Sequence, residues 1–189
     1  MSKGNIIPYK TDSLLSFYNT EDFTKRGGQE IIVFIATDPD DPTIGYDSTY
    51  YEPYKYENIR KYWVMEDWIF DYKHSVFKPR IIAIAPIFRP SYGGATAPEQ
   101  PLCWIKMDEI RPLLANTEMF NRYNDASRLS FDDFFQMRMF DSFIVYESNV
   151  FDNYVNQFQE YENDAVGALL KSDEIKNDLF IFEHDLWQF

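Results

Sequence analysis

The sequence predicts an α+β fold, an antiparallel β-meander of about 3–4 strands followed by a helical C-terminal half. Two observations predict it. Short β-branched and aromatic runs bounded by Pro and Gly fill residues 59–107, and apolar residues at three- and four-residue spacing dominate after Met107. A chain of 189 residues is long enough to bury a core and suggests a single globular domain. Within it, residues 1–58 read as a variable N-terminal segment with one strand and a Pro-rich loop, and 59–189 as the core, meander then helices.

Residues 1–29 are polar and mixed, punctuated by Gly27 and Gly28. IIVFIAT (residues 31–37) is a β-branched apolar run short enough to be a buried strand. TDPDDPTIGYDSTYYEPY then reads as a long loop, broken by Pro39, Pro42, Gly45 and Pro53. RKYWVMEDWIFD is a strand, DYKHS a turn and VFKPRIIAIAPIF a second strand. In that second strand Ile82, Ile84 and Pro86 share one face and Ile81, Ala83, Ala85 and Ile87 the other, so part of it is buried on both sides. Pro79 and Pro86 point to bulges or an edge position. RPSYGGATAPEQP is a loop, with Gly93 and Gly94 at its flexible centre, and LCWIKM a third short strand.

In SFDDFFQMRMF, Ser130 is placed to cap a helix, with Asp132 and Asp133 in the first turn, where the helix dipole favours acid. Its Phe131, Phe134, Phe135, Met137 and Met139 share one arc. DSFIVYES fits helix and strand equally. Val150, Tyr154 and Phe158 make a helical stripe over residues 149–161. The final helix, about residues 172–187, is capped by Ser172 and docks through Ile175, Leu179, Phe182 and Leu186.

The charge of -13 and the pI near 4.5 argue against nucleic acid and anionic lipid as partners. A mean hydropathy of -0.44 with no long apolar run gives no membrane-inserting segment. Cys103, the one cysteine, reads as a small buried hydrophobe and leaves the compartment undecided. MSKGNIIPYK has no signal-peptide core, so an exported form would have lost its leader already.

No catalytic, cofactor or metal constellation emerges. Glu183, His184 and Asp185 in the terminal IFEHDLWQF point three ways on a helix, and His184 faces Phe180, Ile181 and Trp187 as a packed end. His74 sits in a turn with no second ligand near it in sequence. Glu66, Asp67 and Asp71, or Asp132 and Asp133, are the carboxylates an acidic carbohydrate-active enzyme would need. However, Glu66 and Asp67 face opposite sides of a strand, and Asp132 and Asp133 suit a helix start. The acidic residues 38–47 lack EF-hand spacing. A small acidic binding module, or a nucleic-acid mimic, is the other alternative.

EDWIFD (residues 66–71), SVFKPRIIAIAPI (75–87), NDASRLSFDDFFQMRMFDSFIVYESNVFDN (124–153) and IFEHDLW (181–187) resemble the GldN/PorN family of gliding motility and type IX secretion. The likeness runs from about residue 59 to the C-terminus and is faint before it. It implies a non-enzymatic, cofactor-free structural subunit of a periplasmic ring, peripheral to the outer membrane. The partners it implies are a GldK/PorK-type lipoprotein, further copies of the chain in the ring, and a GldM/PorM-type periplasmic domain. No partner-binding residues come with it. The family's signal peptide, and some N-terminal sequence with it, is expected to be absent from this chain.

Overall fold

The computed structural model describes residues 6–26, 28–37, 41, 43, 45–52, 54–92, 95–96, 98–121, 128–162 and 164–185. The chain forms two compact units, Met1–Asp67 with Arg80–Asn116, and Trp68–Pro79 with Thr117–Phe189. Residues on both sides of position 59 therefore share the first unit. Antiparallel sheets with flanking helices make the fold α+β. No described helix is long and apolar enough to cross a membrane.

In chain order the first unit holds α1 (Thr20–Lys25), β1 (Gln29–Ala36) and β2 (Gly45–Glu52). It continues with most of β3 (Lys61–Asp71) and β4 (Val76–Phe88), and the two-residue strands β5 (Ser91–Tyr92) and β6 (Ala95–Thr96). The short β7 (Gln100–Pro101) and β8 (Ile105–Lys106) lead into α2 (Met107–Ala115). The β3–β4 pair is the expected meander, with the turn at Tyr72 to Ser75. β4 is central: β3 lies on one side, β7 and β8 on the other.

At Pro86, where the sequence pattern allowed a bulge or an edge position, the ladder changes register. β8 pairs Ile105 with Ile84, and β7 pairs Pro101 with Ile87. Between these pairs, Ala85 and Pro86 face three residues, Leu102, Cys103 and Trp104. The offset thus changes by one residue at a proline, which has no N–H to give the ladder. The Pro86 carbonyl accepts from the Leu102 amide at 2.8 Å. Trp104 turns its backbone outward and exchanges hydrogen bonds of 2.8 and 2.9 Å with Tyr9.

Burial follows from this arrangement. Ala83 and Ala85 are fully buried, and their small side chains leave room for Trp104 and Tyr9 above them, with Trp63, Met65, Ile7 and Leu14 around the edge. The Trp63 and Trp104 rings lie 6.3 Å apart and tilted. On the next residues of β4 the opposite face is covered as well: Ile84 and Phe88 are buried, and Phe88 meets Tyr54 edge-on at 5.3 Å. Arg26 caps that face, its guanidinium 5.6 Å from the Phe88 ring centre and donating to the carbonyls of Pro101 and Leu102. Glu109 of α2 accepts from the Ile7 amide at 3.0 Å and the Tyr9 hydroxyl at 2.9 Å, tying the N-terminal segment down.

Two expectations for this unit fail. Residues 31–36 are in a strand but not a buried one: among the described residues β1 pairs with β2 alone, and Ile32 is 68% exposed. The expected loop contains β2, whose eight residues make an unbroken register of pairs with β1. Pro39, Pro42 and Pro53 lie outside the described residues, as do Gly93 and Gly94 of the later loop.

The second unit contains the hairpin end Trp68–Pro79 and pairs β9 (Glu118–Met119) with β10 (Leu129–Ser130). It adds α3 (Phe131–Gln136) and α4 (Ala165–Asp185). Ser130 caps α3 as read, in a reciprocal box with Asp133. The helix stops at Gln136, short of the expected arc, because Arg138 takes a left-handed φ of 51°. Phe134, Phe135 and Phe140 then form one ring cluster. A second aromatic cluster joins Trp68, Phe70 and Phe77 to Phe182 of α4, with Phe182 and Phe77 5.1 Å apart.

The stripe through Val150, Tyr154 and Phe158 is not a helix. Apart from a 3-10 turn at Val155–Gln157 the segment is irregular, and Val150 is 97% exposed. Side chains replace the backbone ladder: Asn149 Oδ1 accepts from the amides of Phe151 and Asn153, while its Nδ2 donates to the carbonyls of Glu147 and Asn153.

α4 begins two turns before Ser172. Its cap is Asp164, whose Oδ1 accepts from the amides of Val166 and Gly167 at 3.1 and 2.9 Å. A Cβ on Gly167 would come within 2.5 Å of the same carboxylate, which would have to shift to admit it. Ser172 is a buried mid-helix residue, and Ile175 is buried beside it as expected. Phe182 is 49% exposed, not a fully buried anchor, and Leu186 lies outside the described residues.

Candidate interaction surfaces

The ionisable residues singled out by sequence have local structural tasks. Glu66 and Asp67 are successive on β3 and face opposite ways. Asp71 starts the β3–β4 turn, accepting from the Lys73 and His74 amides at 3.0 and 3.3 Å and lying 2.6 Å from His74 Nδ1. The hydrogen bond from His74 holds the Asp71 carboxyl below the ordinary carboxylate range, helped by the two amides and the Lys78 charge. Asp133 is lowered in the same way by the Ser130 hydroxyl and amide of its capping box. Asp132 accepts from Gln136 at 2.7 Å, one turn along α3.

His184 is a correction. Its side chain is 62% exposed and 3.9 Å from the Asp185 carboxylate, so α4 does not pack it away. Trp187, its expected neighbour, lies outside the described residues. Among the described residues no three His, Cys, Asp or Glu side chains gather as a metal ion would require. Of the acidic residues 38–47, Asp41 and Asp47 are described, and Asp41 accepts from Thr43. Cys103 is buried as read, and burial pushes its thiol up to about 11.

Periodicity does not single out Asn149, because its role depends on a chain path that periodicity does not describe. In retrospect an Asn within a polar ESN triplet between aromatic runs is a turn signal that a three-residue helical stripe outweighed. A groove of about 450 Å³ lies beside it in the second unit, lined by Asn149, Val155, Phe158, Tyr161, Lys171 and Ile175. Lys171 is engaged there by Glu174 at 3.0 Å, which raises its ammonium pKa.

Exposed apolar side chains include groups on α4 and on the β1–β2 hairpin. On α4 the face away from Ser172 and Ile175 carries Val166, Leu169, Leu170, Phe180 and Ile181, all exposed. On the β1–β2 hairpin, register puts Ile31, Val33 and Ile35 on one face opposite Tyr50, Ser48 and Tyr46. Ile32 and Phe34 share the other face with Thr49 and Asp47. The Phe34 ring lies over Gly45, where a Cβ would approach it within 2.6 Å. The base of the hairpin is tied to α1 by the Tyr51 hydroxyl, which donates to the Lys25 carbonyl. These surfaces are suited to protein contacts.

No curated protein matches the chain. The family model described as gliding motility associated protein GldN matches residues 1–188. The match takes in the segment before residue 59, where the sequence likeness looked faint. The chain therefore belongs to the GldN family of proteins associated with gliding motility and type IX secretion.

Proposed function

We propose that this protein is a non-enzymatic structural subunit of the periplasmic ring of the type IX secretion system, peripheral to the outer membrane. The observation that carries the reading is the family match along residues 1–188. In that reading the chain contacts further copies of itself around the ring, a GldK/PorK-type lipoprotein, and a GldM/PorM-type periplasmic domain. A ring requires two different lateral surfaces on each subunit, because a contact that joins unlike patches closes by rotation. The exposed apolar face of α4 is suited to be one such surface.

The test is isolation of the tagged protein from its host after mild detergent extraction. The expected result is a ring-sized assembly containing the lipoprotein, with loss of secretion when the gene is deleted. Replacing residues 37–44, between β1 and β2, or 97–99, between β6 and β7, by Gly-Ser should weaken lipoprotein binding, since connecting segments on a rigid scaffold carry contacts. Recovery of the protein alone, or normal secretion in its absence, would overturn the reading.

A further inference from the structure

The hairpin offers more than exposed carbon. β1 and β2 pair only with each other among the described residues, so the outer edge of each faces no strand. Each is 8 residues long, about 27 Å at strand rise. Natural edge strands are blunted by bulges, Pro or Lys. Here the eight pairs run without a bulge, and neither strand contains Pro or Lys. An isolated two-stranded ribbon is also marginal in water. This one exposes Ile32, Val33, Phe34, Ile35, Tyr46 and Tyr50.

Charge selects the occupant. Between Arg26 and Lys55 the chain has six acidic residues, Glu30, Asp38, Asp40, Asp41, Asp47 and Glu52, and no Lys or Arg. Two copies meeting hairpin to hairpin would bring two all-acidic segments together, and an anionic lipid surface would be repelled in the same way. A basic rim on a protein partner would be attracted.

We propose that the β1–β2 hairpin docks by strand addition onto the sheet edge of a different protein, one that presents alternating apolar side chains rimmed by Lys or Arg. The backbone ladder supplies affinity, the faces bearing Phe34 and Tyr46 supply side-chain pockets, and the acidic segment sets the partner's charge. The inference rests on the reading of the chain as an assembly subunit and names the chemistry of one of its contacts.

The experiment places a photo-crosslinking amino acid at Val33 or at Tyr46 in the full-length protein in its host, and maps the adducts by mass spectrometry. The expected adduct lies on another polypeptide, within an alternating apolar segment flanked by Lys or Arg. The yield should fall at least tenfold in the double variant Asp41→Lys, Asp47→Lys, checked for unchanged near-ultraviolet dichroism. Adducts to a second copy, adducts to lipid, no adduct, or a yield unmoved by the charge reversal would each overturn the proposal. The two readings fail separately. A mapped basic-rimmed strand from a protein outside the secretion machinery supports the docking mode while removing the ring assignment. A ring that assembles normally with Ile32→Ser, Phe34→Ser removes the hairpin and leaves the ring.

Discussion

The hydroxyl oxygen of Ser172, on the inner face of α4, accepts a 2.6 Å hydrogen bond from the backbone amide of Ile144. Ser172 is 1% exposed, so no solvent replaces it if the side chain is removed. It pins an irregular segment that has no ladder of its own. Ser172→Ala should cost about 1–3 kcal/mol in urea unfolding, the penalty for a buried donor left unmatched. A loss under about 0.5 kcal/mol would show that the segment is held by other contacts.

Asn149 should behave similarly on the surface of the same segment. Its amide group serves two donors and two carbonyls, so Asn149→Ala removes the whole local scaffold and should cost about 1–3 kcal/mol. Asn149→Asp keeps the acceptor but loses the two donated bonds, and should be intermediate. Equal stability of all three proteins would refute the scaffold role.

Phe182 is half-exposed yet makes edge-on contacts with Phe70 and Phe77 at 6.2 and 5.1 Å. Truncation to Ala should therefore cost about 1–2 kcal/mol, below the range for a fully buried ring. A loss above about 3 kcal/mol would mean that the ring is more enclosed than this.

The Asp71 carboxyl, lowered chiefly by the His74 hydrogen bond, gives the hairpin turn a direction of pH dependence. A depressed folded value contributes stability above the ordinary carboxylate pKa, and loses it as pH falls through the folded one. Hydrogen exchange of the Lys73 and His74 amides should accelerate, relative to the intrinsic rate, as pH drops below the ordinary 3.8. His74→Ala should move the Asp71 midpoint upward in a carbon-13 carboxyl titration. An unmoved midpoint removes His74 as the cause.

Cys103 predicts an alkaline limb of opposite origin. Its thiol is raised to about 11 by burial, so the neutral form is favoured in the folded state. That stability is intact below the ordinary 9.0 and lost as pH rises toward about 11. Cys103→Ala should flatten the decline in melting temperature over that window. Native alkylation at pH 8 should be much slower than in urea, and equal rates would contradict the burial.

What the sequence made legible was the part whose pattern and environment agree. β3, β4 and their turn could be read almost to the residue, because the second half of β4 is apolar on both faces and is buried on both around Ala83 to Phe88. The bulge at Pro86 was legible for a different reason, since a proline within a central strand leaves few alternatives. The IIVFIAT run misled because apolar composition says that a segment should be covered, not which molecule covers it. The start of α4 was missed because the true cap, Asp164, precedes an alanine- and glycine-containing turn, while Ser172 mimics a cap in sequence. Residues 149–161 failed through a spacing coincidence that side-chain hydrogen bonding overrode. Of the chemistry, the opposite facing of Glu66 and Asp67 on β3 could be read from strand geometry alone. The exposed hairpin could not, since its strand partner lay in what resembled a loop.

The extra residue opposite Pro86 acts as a vernier on the central sheet. Two matching rulers can slide past one another by two marks and still look aligned, whereas rulers offset by one mark at a fixed point coincide in a single position. A two-residue slip of β7 and β8 along β4 would keep inward and outward faces correct, which is the misalignment a sheet tolerates most readily. Here it would carry the three-residue arch of Leu102, Cys103 and Trp104 away from Pro86, which has no N–H to give it. It would also pull Trp104 off Tyr9. The proline thus serves as an indexing notch, and a chain lengthened or shortened by one residue between Pro101 and Ile105 would lose its place.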